Sequence, residues 1–275
     1  MKTLELTSDP VFKSFMLSEN TINYKSRLIH LITGIPEDVL KSATYTSEEK
    51  NIGSAENKIM RTDIIVTIKG HIINLEMNES YYKALLTKNS KYIHLLSGED
   101  LNSGENYLEA RRIIQINIDD FHKYNGNKLV YEFMMREKDT GEIENDLIVS
   151  YHIDLKNLSE ECYNDNEIEK IFRLFLNKDI ESLRGDEIMD EAINELEIIS
   201  QNPDVIGLYD AEKVDRKLMN SRLLEAKEEG NQEGQQTKSL EIAKKMLSKN
   251  ISAEDISEIT GLDIDEIKTF EYEKD

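Results

Sequence analysis

The chain has one cysteine, Cys162, in 275 residues. That excludes an intramolecular disulfide and any zinc cluster built on several cysteines. The five histidines, at positions 30, 71, 94, 122 and 152, are scattered and lack the paired spacing of a zinc site. No apolar run is long enough to cross a bilayer and no signal peptide opens the chain, so a reducing cytoplasm is the expected setting. A Gly-x-x-x-x-Gly-Lys phosphate loop, a dinucleotide fingerprint and a serine nucleophile elbow are all missing. Positive charge is scarce as well: 34 Lys+Arg face 55 Asp+Glu, a net charge of −21. Such a balance is a poor global match for DNA. The deficit is uneven, however. Residues 1–150 hold 18 Lys+Arg against 23 Asp+Glu, whereas residues 151–275 hold 16 against 32. A local basic surface is therefore compatible with the first half, and the second half repels phosphate.

What is present centres on Arg61 to Glu79. Ile64, Val66 and Ile68 alternate with Asp63, Ile65 and Thr67. After Lys69-Gly70, Ile73, Leu75 and Met77 alternate with Asn74, Glu76 and Asn78. Period-two alternation around a glycine turn predicts a hairpin. A turn centred between Lys69 and Gly70 sets position 68 against 71, 66 against 73 and 63 against 76. Asp63 and Glu76 then face each other on one side, with Cβ atoms about 5 Å apart, and Asn78 shares that side. Opposed carboxylates repel unless a positive group stands between them. Hard oxygen ligands of this kind suit Mg²⁺ or Mn²⁺. The alternative is that both are solvated groups on an ordinary sheet.

The spacing from Asp63 through a strand and turn to Glu76-x-Asn78 resembles the core of PD-(D/E)XK nucleases. Asp9-Pro10-Val11-Phe12-Lys13, Ile73 to Asn78, and Tyr92 followed by Gly98 and by Ile114 to Ile118 narrow the likeness. They resemble the recombination-promoting, transposase-like nuclease family, over roughly Leu6 to Phe270. The resemblance implies a restriction-endonuclease-like α/β fold, a mixed central sheet flanked by helices, with an acidic all-helical C-terminal region. It also implies a Mg²⁺- or Mn²⁺-dependent endonuclease acting on double-stranded DNA in recombination or DNA-targeting defence. Asp63, Glu76 and the backbone carbonyl of Met77 would hold the metal, with Asn78 orienting the water. Asp9 and Lys13 would border the cleft, and Arg61 would add positive charge for phosphate or simply balance acid. Where the generic motif has lysine, and this family often glutamine, this chain has Asn78, which carries no charge. Lys83 is the candidate for a migrated catalytic lysine, with Lys88 and Lys91 placed for backbone phosphate. The rival reading is a weakened or inactive nuclease fold that serves as a binding, regulatory or self-association module.

Around this hairpin the pattern predicts helices at Thr7 to Met16, with Asp9 as N-cap, and at Thr21 to Thr33, stopped by Gly34. Lys50 to Met60 reads as a loop, with Lys58 among its charges, and Ser80 to Ser97 as a helix starting directly after Asn78. Strands follow at Arg112 to Ile118, Leu129 to Lys138 and Asp146 to Leu155. Residues 1–157 thus form the expected nuclease core and 158–229 an acidic helical extension. The glycine-interrupted 230–236 reads as a linker. Residues 237–275 read as a small helix-turn-helix-like tail, with a capping box at Ser252 to Asp255. Its second helix bears Asp263, Asp265 and Glu266, so the tail reads as a protein-contact or self-association module, with DNA binding the lesser use.

Overall fold

A computed structural model describes residues 3–47, 49–51, 59–101, 106–158 and 166–272. Cys162 and Lys58 lie outside the described residues. Helix α1 (Asp9–Leu17) starts one residue earlier than a cap at Asp9 requires. Ser8 takes the N-cap position, and the Asp9 carboxylate grips Lys13 one turn on, at 2.8 Å. Val11, Phe12, Phe15 and Met16 are its buried stripe. Helix α2 (Ile22–Thr33) stops at Gly34, whose φ of +75° is the left-handed conformation that glycine takes without strain. Helix α3 (Glu37–Leu40) and strand β1 (Thr44–Thr46) follow.

The expected loop at 50–60 is partly a ladder. Strands β2 (Glu49–Asn51) and β3 (Ile59–Arg61) pair antiparallel, Glu49 against Arg61, as a separate two-stranded piece.

The main sheet has the order β1-β4-β5-β6-β8-β7, with β4 (Ile64–Ile68), β5 (His71–Asn78), β6 (Arg112–Asp119), β7 (Val130–Met134) and β8 (Ile148–Asp154). The β5/β6 and β6/β8 pairs are parallel, and the others antiparallel. Ile68 meets His71, Val66 meets Ile73 and Ile64 meets Leu75, the register the hairpin pattern predicts. The hairpin lies in the middle of the sheet.

A parallel partner for β5 demands a crossover, which is α4 (Leu85–Gly98). The expected start at Ser80 is too early. β5 stays in the sheet through Asn78, whose carbonyl accepts the Asp120 N–H at 2.9 Å. The chain then needs residues 79–84 to reverse before a helix can run back over the strands.

The opposite face carries the main core. Ile64, Val66, Ile73, Leu75, Ile114, Ile116, Ile118, Val149 and Ile153 pack with residues of α1, α2, α5 (Glu167–Arg173) and α7 (Glu187–Ile199). Each fully buried side chain of this size contributes about 1.5–3 kcal/mol. The short α6 (Ile180–Leu183) precedes α7. Residues 1–210 form one compact unit.

Helix α8 spans Pro203–Leu247, so the stretch 230–236 read as a linker is helical. Its Glu, Gln, Lys and Ala neighbours favour helix enough to carry Gly230 and Gly234, at about 1 kcal/mol each. Residues 211–275 form the second unit. There Ala243, Leu247, Ala253, Ile256, Leu262 and Ile267 make a small core between the end of α8, α9 (Ala253–Thr260) and α10 (Ile264–Tyr272). Ser252 caps α9 by accepting the Asp255 N–H at 3.2 Å, and Gly261 ends that helix at φ +73°.

Candidate active site

The face under α4 is ordered in rows across the strands. Thr67, Ile72, Ile113 and Ile148 form the first. Ile65, Asn74, Gln115, Ser150 and Phe133 form the second. Glu76, Asn117, His152 and Tyr131 form the third, and Asn78, Asp119 and Asp154 the fourth. Polarity thus rises toward the C-terminal ends of the parallel strands. Helix α4 matches the gradient. Ile93 and Leu96 in its later turns cover Ile65, Ile72 and Ile113, while Asn89 nearer its start donates to Asn117 Oδ1 at 2.6 Å.

Asp63 precedes β4 by one residue. The next step of the Ile64↔Leu75 register puts it beside Glu76 in the third row. Its Oδ2 accepts the Met77 N–H at 2.8 Å. These are not solvated surface groups: Glu76 has no exposed surface and the Asp63 side chain keeps only 15%. Burial first, and the Glu76 charge second, push the Asp63 carboxyl up to about 7, against the pull of the Met77 N–H and Lys13.

Two lysines offset the pair. Lys13 Nζ lies 2.8 Å from Asp9 and 3.6 Å from Asp63. Burial opposes its charge, but Asp9 and Asp63 outweigh that and hold its pKa above the usual lysine value. Lys88 Nζ lies 2.8 Å from Glu76 Oε2 and 5.0 Å from the centre of the Tyr92 ring. Burial again opposes the charge, and Glu76 outweighs it.

Asp9, Lys13, Asp63 and Glu76 are therefore brought together as the motif suggests. Lys83 is not part of this group. It is exposed in the turn before α4, and the lysine that reaches Glu76 is Lys88. The misplacement follows from the helix start: a helix from Ser80 puts Lys83 in its first turn, whereas one from Leu85 puts Lys88 there. The side chain of Arg61 lies outside the described set. Asn78 faces the same side as Glu76, but its amide is committed to Asp119 Oδ1 at 2.9 Å.

Sequence reasoning missed most of the buried polar network around the carboxylates. Asn74 donates to Glu76 Oε1 at 3.2 Å and to Gln115 Oε1 at 2.8 Å. Gln115 donates to Asn117 Oδ1 at 3.1 Å, and Asn117 reaches His152 Nε2 at 3.3 Å. His152 Nδ1 donates to Asp119 Oδ2 at 2.7 Å. The signal was there, since Gln115, Asn117 and Asp119 alternate with Ile114, Ile116 and Ile118 as a polar second face. Buried amides are costly, and among the described residues the Asn74 and Asn89 side-chain oxygens have no donor partner, about 1–3 kcal/mol each. Such a face is a poor choice for stability alone.

The donor set suits a hard divalent cation in kind. Two opposed carboxylates repel, and Asp63 resists ionisation because of its burial first and the Glu76 charge second. Among the described residues no group of three or more His, Cys, Asp or Glu stands close enough to hold a metal. Further ligands would have to be backbone oxygen and water, as Mg²⁺ commonly retains.

A mixed six-stranded sheet with helices on both faces, carrying Asp and Glu side by side on its central hairpin, is a restriction-endonuclease-like α/β fold. The chain belongs to the PD-(D/E)XK nuclease family transposases, whose pattern it matches over residues 6–226. No curated protein matches it closely enough to count as a relative. Among the described residues no helix is long and apolar enough to cross a membrane.

Proposed function

We propose that this protein is a metal-dependent endonuclease that hydrolyses phosphodiester bonds in double-stranded DNA. Mg²⁺ or Mn²⁺ would be held by Asp63, Glu76 and the backbone carbonyl of Met77. The observation that carries the reading is the buried Asp63–Glu76 pair with Lys13 and Lys88 against it. When bound, the ion supplies Lewis-acid polarisation of the scissile phosphate and lowers the pKa of a coordinated water.

The remaining work falls to the chain. Asp63 must give up its proton to serve as a ligand. Lys88 supplies the positive charge that the generic motif places two residues after the glutamate, and it stabilises charge developing on the phosphate. Asn78 orients the attacking water. Attack in line with the P–O3′ bond breaks that bond and leaves 5′-phosphate and 3′-hydroxyl ends. Family membership supports a setting in recombination or DNA-targeting defence. The acidic tail, residues 237–275, serves self-association. Sedimentation of the full chain as a monomer at all concentrations would remove that role.

Plasmid nicking with Mg²⁺ or Mn²⁺ tests the enzyme. Cleavage is expected in the wild type and is lost in Asp63→Ala and in EDTA. The uncharged Asn78 and the net charge of −21 favour a second reading, a decayed nuclease acting as a binding module. Cutting gained only in Asn78→Lys supports that reading. No cutting by either protein on any DNA removes the enzyme.

A further inference from the structure

Asn78 stands where the motif expects a lysine, and what it can offer a water depends on how its amide is turned. A carboxylate can only accept hydrogen bonds. The atom facing Asp119 Oδ1 at 2.9 Å must therefore be the amide nitrogen of Asn78. That leaves the carbonyl oxygen for the other side of the group. Asp119 in turn is fixed through its second oxygen by His152 Nδ1, at 2.7 Å. The His152 ring is held by edge contacts with Tyr124 and Phe133, centroids 5.4 and 5.7 Å away, and by Asn117 at its Nε2. Asn78, Asp119 and His152 are 7%, 2% and 5% exposed, so water does not compete for these bonds.

We infer that Asp119 and His152 are positioning residues: they lock Asn78 so that it presents a hydrogen-bond acceptor, not a donor, to the attacking water. This rests on the nuclease reading and divides the work of one lysine. Lys88 carries the charge, and Asn78 takes a hydrogen bond from the water that the charge cannot orient. Asp119 and His152 touch neither substrate nor water.

The test is Asp119→Asn, which keeps shape and satisfies every partner. The new amide accepts from His152 with its oxygen and offers N–H₂ to position 78. Asn78 must then turn over, with its donor facing the water. Expected is a melting temperature close to wild type, an unchanged KM for DNA and a kcat lowered at least tenfold. The side-chain amide signal of Asn78, identified by its loss in Asn78→Asp, shifts in the Asp119→Asn protein whether or not DNA is cut. The reciprocal double variant, Asn78→Asp with Asp119→Asn, keeps the bond and restores an acceptor, so kcat recovers. His152→Gln, which still donates to Asp119, keeps kcat, and His152→Leu loses it. Wild-type kcat in Asp119→Asn, an unmoved Asn78 amide signal, or a folded double variant without recovery overturns the inference. A wild type that cuts nothing while the amide signal still shifts removes the nuclease reading and leaves the lock on Asn78 standing.

Discussion

Asp63→Asn removes one charge from the carboxylate pair and leaves its shape, so it tests the cost of burying this carboxylate beside a second acid. The folded-state carboxyl titrates at about 7 against an ordinary value of 3.8. Below pH 3.8 both folded and unfolded chains hold the proton and the site costs nothing. Between 3.8 and 7 the unfolded chain ionises while the folded one does not, and stability falls with each pH unit. Above 7 the loss is complete, about 4 kcal/mol for a shift of roughly three units. The asparagine variant never incurs it. At about 2–4 °C per kcal/mol for a unit of this size, it is expected to melt roughly 8 °C or more above wild type at pH 8.5. Near pH 4 the two curves converge. Thermal melts of both proteins across pH 4–8.5, without divalent ions, measure this directly. A difference that does not grow with pH refutes the account of the pair. Added Mn²⁺ is expected to raise the wild-type melting point at pH 8 and leave the variant unmoved.

Other outcomes follow from the same geometry. Lys88→Met leaves Glu76 buried without its cation, and is expected to lower stability by about 3 kcal/mol and abolish nicking. Lys88→Arg should retain most of the stability, and equal melting of wild type and Lys88→Met would mean the 2.8 Å contact contributes nothing. Ser252→Ala removes the cap of α9 and should loosen the second unit by about 1 kcal/mol, read as faster amide exchange confined to 253–260. Gly230→Ala and Gly234→Ala meet no neighbour within 4 Å. Each should stabilise α8 by about 1 kcal/mol and raise helicity, whereas a flexible linker would not respond.

Much of the site is local and was legible. The alternation of Ile64, Val66 and Ile68 against Ile73 and Leu75 around Lys69-Gly70 sets the register, and the register puts Asp63 beside Glu76. A strand of period two permits one buried face, so a one-residue slip would have reversed every side chain. Gly34, Ser252 and Gly261 likewise announced their helix ends by backbone chemistry that needs no distant partner.

What the tertiary structure decided lies across the chain. Lys88 reaches Glu76 because a parallel crossover needs six residues to turn before α4 begins, which no short-range pattern records. Asp119 reaches Asn78 only because β5 and β6 pair in one parallel register, and His152 reaches Asp119 only because β6 and β8 do. The sequence alone determined which residues share a face within each strand and hairpin, since that follows from backbone periodicity. Which faces meet across α4, β5, β6 and β8, and which cation balances which carboxylate, was settled by long-range packing, from Lys88 on Glu76 to Lys13 on Asp63.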